Sequence, residues 1–495
     1  MTDQLSEQQR KGEAEILAKV PTGLLIDGVW RPAAMGRVLA VEDPATGDTL
    51  VEVADGDATD ALDALDAAHR AQPAWAATPP RERGEILRRA FEAITGNATE
   101  LATLMTLEMG KPLAESRAEI AYAAEFFRWF SEEAARIGGD YRIAPAGGAR
   151  IMTMRQPVGP ALLITPWNFP MAMGTRKIGP AIAAGCTMVL KPSEFTPLSS
   201  MALAQILIDA GLPPGVLNVV NTTAAGATTA PLIADGRLRK LSFTGSTAVG
   251  KTLIRSSADQ VLRVSLELGG NAPFLVMADA DLDAAVDGAM LAKMRNGGQA
   301  CTAANRFYVH RSVAADFSAA LTEKMAAVRV GRGTEDGVAL GPLVNDKQRT
   351  KVVDLVGDAL RRGAAVATGG EAPGGPGYFY PPTVLTGVEA GSRLLAEEVF
   401  GPVAPIVVFD DEAEALRAAN DTEFGLVSYV FTSDLDRALH LAERLDAGMI
   451  GLNQGVVSNP AAPFGGVKQS GYGREGGEEG IEEYLEVKYV GIKLA

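Results

Sequence analysis

ALLITPWNFPMAMGTRKIGPAIAAGCTMVLKPS, residues 161–193, sets two short apolar runs on either side of a segment of helical character. ALLITPW (161–167) reads as a buried strand, MAMGTRKIGPAIAAG (171–185) as a helix and CTMVLKPS (186–193) as the next strand. A short apolar run cannot by itself be told from a buried helix segment, so the alternation around it decides. It continues as helix SSMALAQILIDAG (199–211), strand VLNVVN (216–221), helix AAGATTAPLIAD (224–235), strand LRKLSFTGS (238–246), helix TAVGKTLIRSSA (247–258) and strand VLRVSLELGG (261–270). Short apolar strands joined by helical crossovers predict a parallel, doubly wound α/β sheet with ligands at the strand ends.

A second alternating series begins at APFLVM (272–277), with helices around 281–294 and 312–329, and continues past the Gly/Pro-rich loop GGEAPGGPGYFYPPT (369–383). Upstream, DATDALDALDAAHRA, PPRERGEILRRAFEAI and SRAEIAYAAEFFRWFSEEAARI carry apolar residues at three- and four-residue spacing, so 57–137 is predicted helical. GGDYRIAPAGGARIMTMRQPVG (138–159) alternates and predicts a hairpin; the tail EEYLEVKYVGIKLA predicts a terminal strand that pairs elsewhere. Residues 1–20 are polar and read as a loose arm or short helix.

A chain of 495 residues is too long for one core. With 46 Lys and Arg against 61 Asp and Glu, the net charge of −15 argues against nucleic acid and anionic membranes as partners. Two cysteines make no disulfide framework, and His69, His310 and His440 are scattered, so no metal site is expected. No apolar run approaches the roughly 18 residues of a membrane span, and the first residues lack a secretory h-region, so the expected location is the cytoplasm.

MRNGGQACTAANR (294–306) is a polar, glycine-rich home for Cys301, unlike that of a structural cysteine, while Cys186 heads an apolar strand and reads as core. A thiol on such a loop is a candidate nucleophile once its pKa is lowered; a loop cysteine without a role is the rival reading. Glu267 ends a strand in SLELGGNAP, where a carboxylate can act as general base; a solvated strand-end glutamate is the alternative. Asn168 in TPWNFP offers an amide donor for a developing oxyanion, or forms a turn before the Phe-Pro break. FTGSTAVG (243–250) is a strand, a glycine turn and a helix start suited to phosphate; GSTAVGKT also matches a P-loop pattern, which keeps an ATPase open at this point.

ITPWNFP, KPSEFTP, FTGSTAVG, LELGGNAP, GQAC, EEVFGP and PFGGVKQSGYGREGG, in this order over nearly the whole chain, resemble the NAD(P)-dependent aldehyde dehydrogenase superfamily. The resemblance implies two doubly wound, Rossmann-like α/β domains, cofactor and catalytic, plus a small β oligomerisation arm. It implies an NAD-binding domain of residues 1–137 and 157–266, a catalytic domain of 267–458, and an arm and C-terminal segment of 138–156 and 459–495. In that family the 243–250 turn holds a dinucleotide pyrophosphate, which leaves GKT a coincidence. The resemblance assigns Cys301 as nucleophile, Asn168 with the Cys301 N–H as oxyanion hole and Glu267 as general base. Ser246 with its turn (Phe243, Gly245) would meet the pyrophosphate and Lys191 the adenosine ribose. Glu398 would meet the nicotinamide ribose, with Phe400 and Trp167 lining the cofactor site. Having Glu267 favours a free acid as product over acyl transfer to a thiol.

Arg176 lies eight residues after Asn168 and Arg295 six before Cys301. Two guanidiniums near one pocket call for an anion, and arginine suits carboxylates. With Ser458 they resemble the carboxylate clamp of the succinate-semialdehyde dehydrogenase branch, which implies oxidation of succinate semialdehyde to succinate, as in 4-aminobutyrate (GABA) degradation. Glutarate semialdehyde is the alternative substrate; a cysteine hydrolase or P-loop ATPase are rivals from other classes. Glu194, three residues after Lys191, would accept bonds from a ribose and repel a 2′-phosphate, so NAD is expected over NADP, which remains open to use. A homodimer or homotetramer is expected. Ala303 stands where some relatives carry a second cysteine, so no local disulfide switch is expected.

Overall fold

In the computed structural model, which describes residues 7–493, strand Ala161–Ile164 lies inside an eight-stranded sheet. The order is Gly471–Tyr472, Arg263–Glu267, Lys240–Thr244, Ala161–Ile164, Met188–Lys191, Leu217–Val219, Leu24–Ile26, Val29–Arg31. The five strands from Arg263–Glu267 to Leu217–Val219 are mutually parallel. Their side chains alternate between two cores: Leu163 and Leu190 join Phe126, Phe127 and Phe130, while Leu162, Val189 and Leu241 join Ala64 and Leu65. Period-two alternation with both faces covered explains why these strands read as continuous apolar runs.

The chain steps outward from Ala161–Ile164 through Met188–Lys191 to Leu217–Val219, then crosses back to Lys240–Thr244 on the other side. The loops after Ala161–Ile164 and Lys240–Thr244 therefore part at a topological switch point, where open α/β sheets bind ligands.

A seven-stranded sheet repeats the design: Ala365–Thr368, Thr383–Thr386, Val403–Phe409, Ala304–His310, Ala272–Val276, Val427–Phe431, Met449–Leu452, parallel except for its first strand. Phe274, Phe307, Phe317, Tyr429 and Phe431 fill its core. Asp140–Ile143 and Ala149–Pro157 form the expected hairpin, and the tail strand Leu485–Lys493 pairs antiparallel along Ala149–Pro157. Near the N-terminus, Glu7–Leu17 is a helix; the first part of the predicted arm, residues 1–6, lies outside the described residues.

Two helices beside the site, Pro170–Ala184 and Pro197–Asp209, begin without side-chain caps of their own. Pro170–Ala184, buried throughout, starts with proline and ends at Gly185, whose φ of 89° suits only glycine. Its first free N–H groups, Met171 and Ala172, donate to Glu119 Oε1 at 3.0 and 3.2 Å, from helix Leu113–Glu133. Glu108 does the same for helix Pro197–Asp209, accepting from Leu198 and Ser199 at 2.7 and 2.9 Å. Lys111 Nζ neutralises Glu119 at 2.5 Å, with both side chains 1% exposed. Removing one partner of a buried ion pair leaves an uncompensated charge. Glu119→Gln, which keeps the cap but removes the charge, is expected to cost about 3 kcal/mol; urea unfolding followed by tryptophan fluorescence measures it, and an unchanged midpoint refutes it.

Candidate active site

The switch-point loops face the second sheet across a cavity of about 220 Å³. Trp167, Asn168, Gly245 and Ser246 line it from the first sheet, and Arg295, Cys301, Glu398 and Phe400 from the second. Arg176 and Ser458 line it as well.

The oddity of MRNGGQAC has a backbone cause. Helix Leu282–Met294 stops at Arg295, and the next three residues turn left-handed: Asn296 at φ 53°, Gly297 at φ 60° and Gly298 at φ 74°. A Cβ on Gly298 would lie 2.2 Å from the Gly401 carbonyl oxygen. Asn296 is held in this unfavourable region by its bonds: its N–H donates to Glu115 Oε2 at 2.7 Å, and its amide donates to Asn168 O at 2.9 Å and Gln299 O at 3.1 Å. On the other side, a Cβ on Gly270 would lie 2.3 Å from the Cys301 carbonyl oxygen. The paired glycines of SLELGG thus let the strand that ends in Glu267 press against the cysteine loop.

Burial pushes the Cys301 thiol up to about 12; Arg176 and Arg295 oppose this, while Glu398 and Glu267 add to it. The thiol is neutral at rest. Asn168 Nδ2 donates one hydrogen to Gln299 O at 3.0 Å, leaving its second for a ligand, and its own carbonyl accepts from Lys111 Nζ at 2.7 Å. Glu267 is 3% exposed, with Oε2 lacking any hydrogen-bond partner. Burial, followed by repulsion from Glu475, holds its carboxyl far above the usual range, against Arg176, Lys177 and Arg474.

Arg295 Nη1 donates to Ser458 Oγ at 3.2 Å. Its guanidinium lies over the rings of Phe169 at 4.9 Å and Tyr122 at 5.7 Å. Arg176 differs from expectation: the anion joining it is part of the chain. Its Nε approaches Glu475, which also binds Lys177. Glu475 is held below the usual carboxylate range, because Lys177 and Arg176 outweigh its burial. Arg176 Nη2 keeps no hydrogen-bond partner. Sequence reading missed Lys177 and Glu475, although two adjacent cations in an otherwise apolar helix are a signal.

Of the residues expected to meet a cofactor, Trp167 and Phe400 stand edge to face with centroids 5.3 Å apart. Phe400 takes φ 57°, with its carbonyl accepting from Gln348 Nε2 at 2.9 Å. Glu398 Oε1 accepts the Gly270 N–H at 3.1 Å. Phe243 is core: a Cβ on Gly245 would meet its ring at 2.4 Å, so it supports the turn from beneath. Lys191 and Glu194 sit outside the cavity, at the next strand end, joined by a 3.2 Å ion pair. Ser246 caps helix Thr247–Ser257. Gly250, Lys251 and Thr252 lie within that helix, where Lys251 Nζ turns to Gln469 Oε1 at 2.5 Å. A P-loop needs a longer loop before its helix and a lysine turned back over it, so GKT here is a helical sequence. Among the described residues no helix is long and apolar enough to cross a membrane, and no group of three His, Cys, Asp or Glu could hold a metal.

Two largely parallel sheets meet at a cavity that holds a thiol, an amide donor and a helix start, the build of an α/β enzyme, and the family its sequence matches makes it an oxidoreductase. The sequence model of the aldehyde dehydrogenase family matches residues 30–490, and the chain belongs to that family. It is 55% identical over 443 residues to the succinate-semialdehyde dehydrogenase of Paenarthrobacter nicotinovorans, covering 90% of this chain and 98% of the relative. It is 49% identical over 465 residues to the glutarate-semialdehyde dehydrogenase of Pseudomonas aeruginosa, covering 94% of this chain and 96% of the relative. The crystal structure of an NADP-dependent enzyme of E. coli matches with a TM-score of 0.95 at 49% identity, over 96% of this chain and 98% of that one.

Because the free thiol is pushed up to about 12, its thiolate fraction rises about tenfold per pH unit through the neutral range. Iodoacetamide labelling of Cys301 in the ligand-free protein, read by peptide mass spectrometry, is expected to climb without a plateau up to pH 9. A plateau at pH 7 shows an activated resting thiolate instead. Cys186, 0% exposed, is the unlabelled control.

Proposed function

We propose that the chain oxidises a short aldehyde with a distal carboxylate, succinate semialdehyde foremost, to the acid with a nicotinamide dinucleotide. One observation carries this reading: Arg295, bonded to Ser458, and Arg176 with an unpartnered Nη2 share one small cavity with Cys301. Guanidinium donors beside a thiol suit a molecule that is an aldehyde at one end and an anion at the other. The relative names given above support the same chemistry at both chain lengths, so glutarate semialdehyde is the second reading.

The dinucleotide fits the residues present. Ser246 and the N–H groups of helix Thr247–Ser257 suit a pyrophosphate, and the Thr244 hydroxyl, buried without a partner, opens on the same cavity. Lys191 and Glu194 would hold the adenosine ribose, Glu398 the nicotinamide ribose, and Trp167 and Phe400 the ring. Bound there, the nicotinamide supplies the acceptor for the hydride that leaves the aldehyde carbon. The Cys301 thiol gives up its proton to solvent water as Sγ adds to that carbon, and the second hydrogen of Asn168 Nδ2, with the Cys301 N–H, stabilises the resulting oxyanion. Glu267 then takes a proton from the water that releases the acyl group from Sγ as a free acid. Burial and then Glu475 raise this carboxyl above the usual range, which makes its carboxylate a stronger base than that of a solvated glutamate.

The proposed domain division is 1–137 and 157–266 for cofactor, 267–458 for catalysis, and 138–156 and 459–495 for the arm and C-terminal segment, of which Gly471–Tyr472 pairs with Arg263–Glu267 in the first sheet. Tyr141, Ile143, Val487 and Tyr489 of the three-stranded sheet are each about two-thirds exposed, which suits a subunit contact in a homo-oligomer.

Cys301→Ala is expected to abolish aldehyde-dependent NADH formation. Arg295→Met is expected to lower kcat/KM for succinate semialdehyde about 100-fold, the value of hydrogen bonds to a charged group. Butanal, neutral and of equal length, should be little affected; equal wild-type efficiency for the two aldehydes refutes the carboxylate reading. For the cofactor, the wild type should prefer NAD to NADP, and Glu194→Ser should narrow that preference roughly tenfold. A wild type that prefers NADP overturns this assignment.

A further inference from the structure

We propose that Tyr122 is a specificity residue whose phenol O–H donates to the distal carboxylate of the substrate beside Arg176, Arg295 and Ser458. This inference rests on the semialdehyde reading and extends it.

Tyr122 comes from helix Leu113–Glu133, an element to which none of the sequence motifs points. Its hydroxyl is buried, lacks any hydrogen-bond partner in the structure and belongs to a side chain that lines the cavity. A buried hydroxyl left unmatched costs about 1–3 kcal/mol, so a native structure keeps one where a ligand or water completes it. The ring is fixed from two sides, edge to face with Phe126 at 4.9 Å and under the Arg295 guanidinium at 5.7 Å. The oxygen is therefore held in one place.

The surrounding polar groups have one character. Arg295 and Arg176 are donors only. Arg295 fills an acceptor site on Ser458 Oγ, which leaves the hydroxyl hydrogen of Ser458 free to donate. Arg176 Nη2 is, like the Tyr122 hydroxyl, buried and unpartnered. The walls between them are apolar: Phe169 under Arg295, and Phe464 under Arg176 at 4.1 Å. Several donors without a matching acceptor suit a group with two acceptor oxygens and a negative charge. A phenol adds what the arginines lack, a short neutral donor that brings no further charge to a region already holding two cations and Lys177. It also discriminates against neutral aldehydes, whose chain end leaves the hydroxyl buried and unmatched.

The test is Tyr122→Phe, which keeps the ring and its packing. With NAD at saturation, kcat/KM for succinate semialdehyde is expected to fall about tenfold or more, mostly through KM, while butanal changes less than twofold. Competitive inhibition by butanoate, a carboxylate without an aldehyde, should weaken in parallel. An equal loss for both aldehydes shows a packing role, and unchanged kinetics for both shows that water alone serves the hydroxyl; either result overturns the proposal. If the wild type already fails to favour succinate semialdehyde over butanal, the semialdehyde reading falls. If the wild type discriminates and Tyr122→Phe discriminates equally, only the role of Tyr122 falls.

Discussion

The buried Lys111 ammonium organises the site, because it joins two bonds that would otherwise be independent. It neutralises Glu119, whose other oxygen receives the first N–H groups of helix Pro170–Ala184, and it donates to the carbonyl of Asn168 just ahead of that helix. The helix that carries Arg176 and Lys177 and the amide that faces the cavity are thus referred to one charge. The same carbonyl accepts from Asn296, so the left-handed turn before Cys301, which belongs to the second sheet, is referred to it as well. Both sheets meet here through hydrogen bonds with buried, near-rigid partners, the arrangement a small cavity needs to keep its groups in register.

Charge is arranged as tightly as the backbone. Arg176, Lys177, Glu267 and Glu475 are all buried, and only Glu475 is favoured in its ionised state among the two carboxylates. A single carboxylate between two cations leaves a positive remainder, which is what a site for an anion requires. Glu267 opposes it less, because burial and then Glu475 hold its carboxyl far above the usual range. Attraction by Glu475 on one side of Arg176 also directs the guanidinium, so that Nη2 faces away without a partner.

Much of the fold is legible in the sequence, because the central strands are buried on both faces and their crossovers are helical. LLIT, MVLK, KLSFT and APFLV stand out for that reason. The tail strand is legible from its alternation, although its partner, Ala149–Pro157, lies hundreds of residues away. Cys301 is legible as a residue in the wrong company, and Arg295 by its spacing from it. Lys111, Glu115, Glu119 and Glu475 are not. Each occupies an ordinary position in its own segment and matters for a partner that only the tertiary fold brings near: Glu115 for Asn296, Glu475 for Arg176. GSTAVGKT misleads for the converse reason, since a pattern of residues does not say where the helix starts. Here the helix starts at Thr247, ahead of the glycine and lysine that a P-loop would place in its loop and first turn.

The arginines set a conflict that the rest of the site has to resolve. Both favour the Cys301 thiolate, and both are the groups a substrate carboxylate would occupy. An anion bound to them offsets their charge, so recognition weakens the very support that the thiolate receives at rest. Burial together with Glu398 and Glu267 already works against ionisation. The stabilisation that attack requires must then act where the new charge appears, on the former aldehyde oxygen, and not on sulfur beforehand. The free hydrogen of Asn168 Nδ2 is suited to this because it is neutral, buried and held by Gln299. It adds nothing to the resting charge balance, and on the proposed function it would act only once the oxyanion forms. A neutral resting thiol is thereby compatible with a reactive one, and it spares the cysteine from oxidation while no substrate is bound.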